Sequence, residues 1–346
     1  MSGTTRDATD APDAIVRGED VNVAFAMERG EAIVVNDVDI TVQRGEILGL
    51  VGESGSGKSM LALSFLDAVE DPGVSRGEVT YVERDGTEQR ILDLTEEELR
   101  QVRWEEIAFV FQGAMDSFNP TLSIEDHFLE TIDAHDADSE EKMAHARELL
   151  EQVYLDPDRV LNSYPHELSG GMQQRVLIAL SLILDPELLI MDEPTSALDL
   201  LMQQSILALL DDLKETYDLT VIVISHDIAT ISRLCDRLAV MYAFEVVEVG
   251  GVEELVTNSA HPYTRALMRA IPDLGMDIED MEPIPGMSPD PVNVPDGCSY
   301  HPRCPLATEE CETEDPPFYD VTETQRTKCF HWEDASDAIP LDVHED

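Results

Sequence analysis

Residues Gly52, Glu53, Ser54, Gly55, Ser56, Gly57, Lys58 and Ser59 fit the phosphate-binding loop G-x-x-x-x-G-K-[ST], and no other feature of the chain restricts its fold as much. A strand-like apolar run over 47–51 leads into the loop and a helix-like run over 59–63 leaves it, which is the context the motif needs. Strand, loop and helix in that order predict an α/β core of the P-loop NTPase type. Glycines allow backbone N–H groups to curl around a β-phosphate, Lys58 reaches the β- and γ-phosphates, and the Ser59 hydroxyl suits Mg²⁺. A second glycine-rich element, Leu168-Ser169-Gly170-Gly171-Met172, lies far downstream.

At 346 residues the chain has room for about two domains and a sizeable core. Its 73 acidic residues against 22 basic ones give a net charge of −51, and Lys58, Lys142, Lys214 and Lys328 are the only lysines. So negative a surface repels nucleic acid and anionic lipid, so no nucleic-acid partner is expected. The excess is spread along the chain, which points to a halophilic adaptation to a salt-rich cytoplasm rather than to one acidic patch. No run nears the roughly 18 apolar residues of a membrane helix, and the start is polar and acidic. The chain is expected to be cytoplasmic and to reach a membrane only through a partner.

Residues 1–19 read as a flexible acidic tail. Segments 21–25 and 38–42 alternate with period two, as antiparallel strands with one wet face do. From about 95 to 184 the pattern turns mostly helical, which predicts a helical subdomain inserted into the α/β core. Continuous apolar runs over 188–191 and 220–224 resume that core, which closes near 280. From 281 onward Pro283, Pro285, Pro289, Pro291 and Pro295 form a stiff connector to a small appended cysteine-bearing module, expected to be distant from the phosphate loop.

Four apolar runs end in residues suited to nucleotide chemistry, as ligand sites at strand carboxyl ends require. The first leads to the loop at Gly52. The others lead to Gln112, to Asp192-Glu193 and to Ser225-His226-Asp227. Asp192 can hold the Mg²⁺ shell while Glu193 takes the proton of an attacking water. His226 can donate to a γ-phosphate, and the Gln112 amide can touch Mg²⁺ or water together with a mobile neighbour.

In this order the elements resemble the nucleotide-binding subunit of an ATP-binding cassette transporter. The resemblance rests on the P-loop, Gln112, the signature from Leu168 to Arg175, the Asp192-Glu193 pair, the Ser196-Ala197-Leu198-Asp199 loop and His226. It implies ATP and Mg²⁺ as ligands, with Phe25 stacked on adenine. It also implies that Ser169, Gly170 and Gly171 grip ATP held by an opposing subunit, so that one chain alone is incomplete. The stretches Asn162 to Glu167 and His261-Pro262-Tyr263-Thr264-Arg265-Ala266-Leu267 resemble the oligopeptide/dipeptide import group in particular. Nickel importers share these features. The implied partners are two permease subunits, a second cassette ATPase and an external solute-binding protein. Phe244-Glu245 departs from the group, whose members usually carry a glycine and a basic residue there.

Cys298, Cys304, Cys311 and Cys329 cluster in the tail, whereas Cys235 reads as an inert buried thiol of the core. Structural disulfides are not expected in a cytosolic chain, which leaves an iron–sulfur cluster, zinc or free thiols. Some dipeptide-importer members of the group resembled hold a [4Fe-4S] cluster there, and the resemblance implies the same option for this chain. Zinc suits four thiolates, with His301 or His331 able to replace one, but no close C-x-x-C pair is present.

Overall fold

The computed structural model describes residues 13–113, 117–196, 198–270 and 284–341. Residues 1–12 of the expected tail, Ala197, and the 271–283 stretch with Pro283 and the expected domain boundary lie outside the described residues. The chain forms two compact units, one of Met1–Leu92 with Ser225–Asp346 and the other of Asp93–Ile224.

The first unit opens with β1 (Ala14–Met27), β2 (Gly30–Gln43), β3 (Ile47–Val51), α1 (Lys58–Ser64), β4 (Gly73–Val82) and β5 (Glu88–Arg90). An antiparallel sheet in the order β2-β1-β4-β5 accounts for the alternating segments. β1 begins at Ala14, inside the segment expected to be a tail. The reason is local. Register shifts between Gly18 and Val21, with Asp20 at φ 49°, break the alternation that would have marked the strand's first half. β3 is buried along its whole length, as a continuous apolar run implies.

The second unit contains α2 (Glu96–Glu105), β6 (Ile107–Val110), α3 (Ile124–Ala134), α4 (Ser139–Gln152), α5 (Pro157–Leu161), α6 (Gly170–Ser181), β7 (Leu188–Asp192), α7 (Leu200–Tyr217) and β8 (Thr220–Ser225). Side chains of Thr95, Ser123, Asp138, Asp156, Ser169 and Asp199 accept N–H bonds at the starts of α2 to α7. Each satisfies a donor that the helix cannot use internally. Between residues 95 and 184 the chain forms α2 to α6, with β6, the apolar run that leads to Gln112, among them. β6 pairs in parallel with β7, and β7 with β8, so the unit carries its own parallel ribbon.

Returning to the first unit, the chain forms α8 (Ile228–Ile231), β9 (Arg237–Tyr242), β10 (Glu245–Gly251), α9 (Val252–Asn258), α10 (Pro262–Arg269), α11 (Glu309–Thr313), β11 (Tyr319–Asp320), β12 (Arg326–Thr327) and α12 (Ala335–Ala338). Here the strands run β11-β12-β10-β9-β3, with β3 and β9 parallel. The cysteine-bearing tail joins this sheet through its two short strands. β12 pairs with β10 through Glu248 and Val249, and Gln325, Thr327 and Tyr300 are buried.

Candidate active site

The P-loop begins where β3 ends. Gly52 lies at φ 148°, and a Cβ there would come 2.1 Å from the Met241 carbonyl oxygen. Gly57, at φ 103°, would bring a Cβ 2.2 Å from that of Val34. Both need glycine for backbone conformation and for room. Lys58 is buried, and its Nζ donates to the carbonyls of Gly52 (2.9 Å) and Glu53 (2.8 Å) and to Ser56 Oγ (3.3 Å). These bonds occupy all three N–H donors of the ammonium. Ser54 and Gly55 are exposed, and Ser59 is half-buried in the first turn of α1.

A tight hairpin between β9 and β10 braces the loop. Tyr242 pairs with Glu245 across Ala243 (φ 47°) and Phe244 (φ 77°). Two positive φ values describe the turn that suits strand twist, although glycine and asparagine usually fill it. The Phe244 N–H donates to the Ser56 carbonyl (3.1 Å), and its carbonyl accepts from Asn36 N–H (2.9 Å). The departure at Phe244-Glu245 thus leaves the hairpin intact, with strain held by bonds to the P-loop and β2.

Phe25 is half-buried on β1, opposite Gly73 of β4. A Cβ at Gly73 would meet the Phe25 ring at 2.7 Å, so the missing side chain makes room for that ring. His226 is exposed directly after β8, and the Asp227 N–H that follows donates to Ser225 Oγ (3.0 Å).

In the second unit the parallel register brings Gln112, Asp192 and Glu193 to the carboxyl edge of one ribbon. Val110 is level with Met191, and Asp192 with Ile224. Gln112 is exposed two residues beyond β6. Asp192 is buried at the last position of β7, and Glu193 follows half-buried at φ 50°. Ser169 is exposed at the start of α6, where its side chain accepts from Met172 N–H, while Gly170 and Gly171 begin the helix. A Cβ at Gly171 would lie 2.4 Å from the tip of Met202. Asp199 caps α7 and is exposed beside Leu200 and Leu201, which are 66% and 78% exposed. Ala197 of the same loop lies outside the described residues.

Sequence reasoning missed three residues that hold the P-loop. Arg303 makes a two-pronged bond to the Glu53 carboxylate, Ser288 Oγ donates to the same group (3.0 Å), and the Tyr263 hydroxyl accepts from Glu53 N–H (3.0 Å). The tail expected to be distant from the phosphate loop touches it. Tyr263 belongs to the His261–Leu267 stretch, so that motif has a structural reason. His261 caps α10, Tyr263 reaches the P-loop, and Arg265 bonds the carbonyls of Ser259 and Ile339.

Cys298, Cys304, Cys311 and Cys329 line one cavity with His261, His301 and His331. Burial pushes the thiols of Cys298 and Cys329 up to about 12 and that of Cys304 to about 11, which keeps them protonated at neutral pH. Among the described residues, no group of three or more His, Cys, Asp or Glu side chains is gathered to hold a metal ion. The donor chemistry of the cavity, four thiols and three imidazoles, is of the soft kind that a thiolate-bound group takes. Cys235 is buried in the core, as expected.

Comparison with known proteins agrees with this geometry. Residues 35–196 match the ABC transporter family, and residues 247–311 match the C-terminal region of oligopeptide/dipeptide transporters. The chain is 40% identical over 323 residues to the dipeptide transport ATP-binding protein DppD of Caldanaerobacter subterraneus, covering 92% of this chain and 98% of that one. To the oligopeptide transport ATP-binding protein OppD of Escherichia coli it is 38% identical over 320 residues, 92% of this chain and 93% of that one. A solved dimeric ATP-binding cassette in a post-hydrolysis state with ADP and Pi superposes with a TM-score of 0.59 at 31% identity, covering 68% of this chain and 98% of that one. A cassette of a cbiONQ transporter complex from Clostridium perfringens shares the fold, with a TM-score of 0.60 at 23% identity over 71% of this chain and 92% of that one. The protein belongs to the ABC transporter family as an ATPase subunit, in the branch that carries the oligopeptide/dipeptide transporter C-terminal region.

Proposed function

We propose that this ATPase subunit sits peripherally on the cytoplasmic face of the membrane and energises import of di- and oligopeptides. Its partners are two transmembrane permease subunits, a second cassette ATPase and an external solute-binding protein. The observation that carries peptide over nickel is the likeness, over 92% of the chain, to relatives that are dipeptide and oligopeptide transport ATP-binding proteins. Among the described residues no helix is long and apolar enough to cross a membrane, so the permeation path is assigned to other chains. The test is uptake by the assembled transporter in proteoliposomes. ATP-dependent accumulation of a labelled dipeptide supports the reading, whereas accumulation of nickel without dipeptide overturns it.

In this reading Lys58 and the loop amides of Gly52–Ser59 bind the β- and γ-phosphates, and Phe25 stacks on adenine. Ser59, Asp192 and Gln112 supply hydroxyl, carboxylate and amide oxygens, the hard donor set that Mg²⁺ takes. When bound, Mg²⁺ offsets charge on the polyphosphate. Glu193 takes the proton of the attacking water, and His226 donates to the γ-phosphate. Ser169, Gly170, Gly171 and Asp199 serve the nucleotide of the opposing subunit. Support for that last role is the exposure of Ser169, Asp199, Leu200 and Leu201.

The four cavity cysteines are assigned to an iron–sulfur cluster with a structural role. Their convergence on one cavity supports this. Protein purified without oxygen should then be brown and contain iron and acid-labile sulfide in near-equal amounts. Zinc alone, or no metal, overturns the assignment.

A further inference from the structure

Glu53 has all three of its polar groups engaged. Its N–H donates to the Tyr263 hydroxyl, its carbonyl accepts from Lys58, and its carboxylate accepts two bonds from Arg303, at 2.7 and 3.1 Å. Arg303 is anchored in turn by the Pro285 carbonyl (2.6 Å) and the Tyr242 hydroxyl (3.3 Å), with its guanidinium 5.5 Å from the centre of the Tyr242 ring. The Arg303 side chain is only 6% exposed. Its backbone sits in a 3-10 turn, His301–Arg303, bracketed by Cys298 and Cys304 and closed by bonds from His301 N–H to Cys298 and from Cys304 N–H to His301. Tyr242, Tyr263 and Tyr300 pack ring against ring around this point, with centroids 4.5 to 5.4 Å apart.

We infer that Arg303 is a positioning residue for the nucleotide site: it holds the P-loop in its binding shape through Glu53 and cancels that carboxylate's charge where a polyphosphate must dock. A two-pronged guanidinium–carboxylate bond fixes orientation as well as distance, which an ammonium could not do. Holding the loop beforehand lowers the ordering cost of binding, and neutralising Glu53 removes a repulsion toward phosphate. The C-terminal region thereby contributes to the site from the far end of the sequence.

The inference rests on ATP binding at the P-loop, and the wild-type dissociation constant checks that separately. Arg303→Ala should weaken ATP binding by on the order of tenfold, because it releases the loop and leaves Glu53 uncompensated. Glu53→Gln should weaken it less, since the charge left unpaired is the Arg303 guanidinium, which attracts a polyphosphate rather than repelling it. Adding Glu53→Gln to Arg303→Ala should then restore part of the lost affinity, a rescue that a merely structural arginine would not show. If Arg303→Ala fails to fold, Arg303→Lys replaces it, with weaker ATP binding than wild type as the expected result. Wild-type affinity in the arginine variants, or losses that simply add in the double variant, would overturn the inference while leaving ATP binding itself intact.

Discussion

Glu193 occupies a left-handed backbone conformation one residue after β7, a placement that costs a non-glycine residue on the order of 1 kcal/mol or more. Its N–H donates to the Ile224 carbonyl (3.0 Å), and its own carbonyl accepts from Ser196. Neighbouring carboxylates thus meet different surroundings, Asp192 buried and Glu193 half-buried. If Glu193 is the base, Glu193→Gln should retain ATP binding and lower turnover by roughly 10²- to 10⁴-fold. Near-normal steady-state hydrolysis in the assembled complex would assign the proton elsewhere. Strain of the same kind at the hairpin gives a paired test. Ala243→Gly relieves a left-handed alanine and should raise stability by about 0.5–1 kcal/mol in denaturant titrations. Phe244→Gly relieves the same strain but removes a ring that is 4% exposed, and should lower stability by about 2–3 kcal/mol. Equal effects at the two positions would show that conformation, not burial, decides this turn.

At the scale of elements, β10 joins the ATPase core to the tail, and its Glu248 is fully buried. The carboxyl group accepts from Ala260 N–H (2.5 Å), His261 N–H (3.2 Å) and Gln325 Nε2 (2.9 Å). Burial nevertheless raises its pKa above the ordinary 4.5. A raised folded-state value means that the folded chain holds this proton more tightly than the unfolded one. Stability from this group is therefore complete below about pH 4.5 and is lost as pH rises through the folded value. Glu248→Gln cannot ionise, so the melting-temperature advantage of wild type over this variant should shrink from pH 4.5 upward. An advantage that grows with pH would mean that the three donors favour the carboxylate more than burial penalises it. The same strand marks where legibility in the sequence ends. The P-loop, the buried strands and the strand-end carboxylates were readable because each is a local pattern of glycine, apolar run and polar terminus. The first half of β1 was not, because a bulge at Asp20 hides its alternation. Nor was the docking of the tail, because β12 is two residues long and the Arg303–Glu53 pair joins positions 250 residues apart. No periodicity reports a contact of that kind.

Across the whole molecule, 22 basic residues face 73 acidic ones, so even complete pairing leaves 73 − 22 = 51 carboxylates unmatched. A few of the ion pairs use scarce cations at part-buried points. Lys328 lies between Glu245 and Asp315, Arg237 bonds Glu46 beside β3, and Arg303 bonds Glu53. The remaining excess repels itself most strongly in the compact state, where the charges are closest. Screening shortens from about 10 Å at 0.1 M salt to about 3 Å at 1 M, below the usual spacing of surface carboxylates. The melting temperature should therefore rise steadily from dilute to molar KCl. The exposed pairs will weaken over the same range, but each contributes only about 0–1 kcal/mol, and they are outnumbered by the repulsions being removed. Potassium sulfate at matched ionic strength separates this screening from the salting-out that strengthens apolar burial. Equal gains in the two salts identify screening, and a melting temperature flat in KCl would show that the carboxylates are already compensated locally.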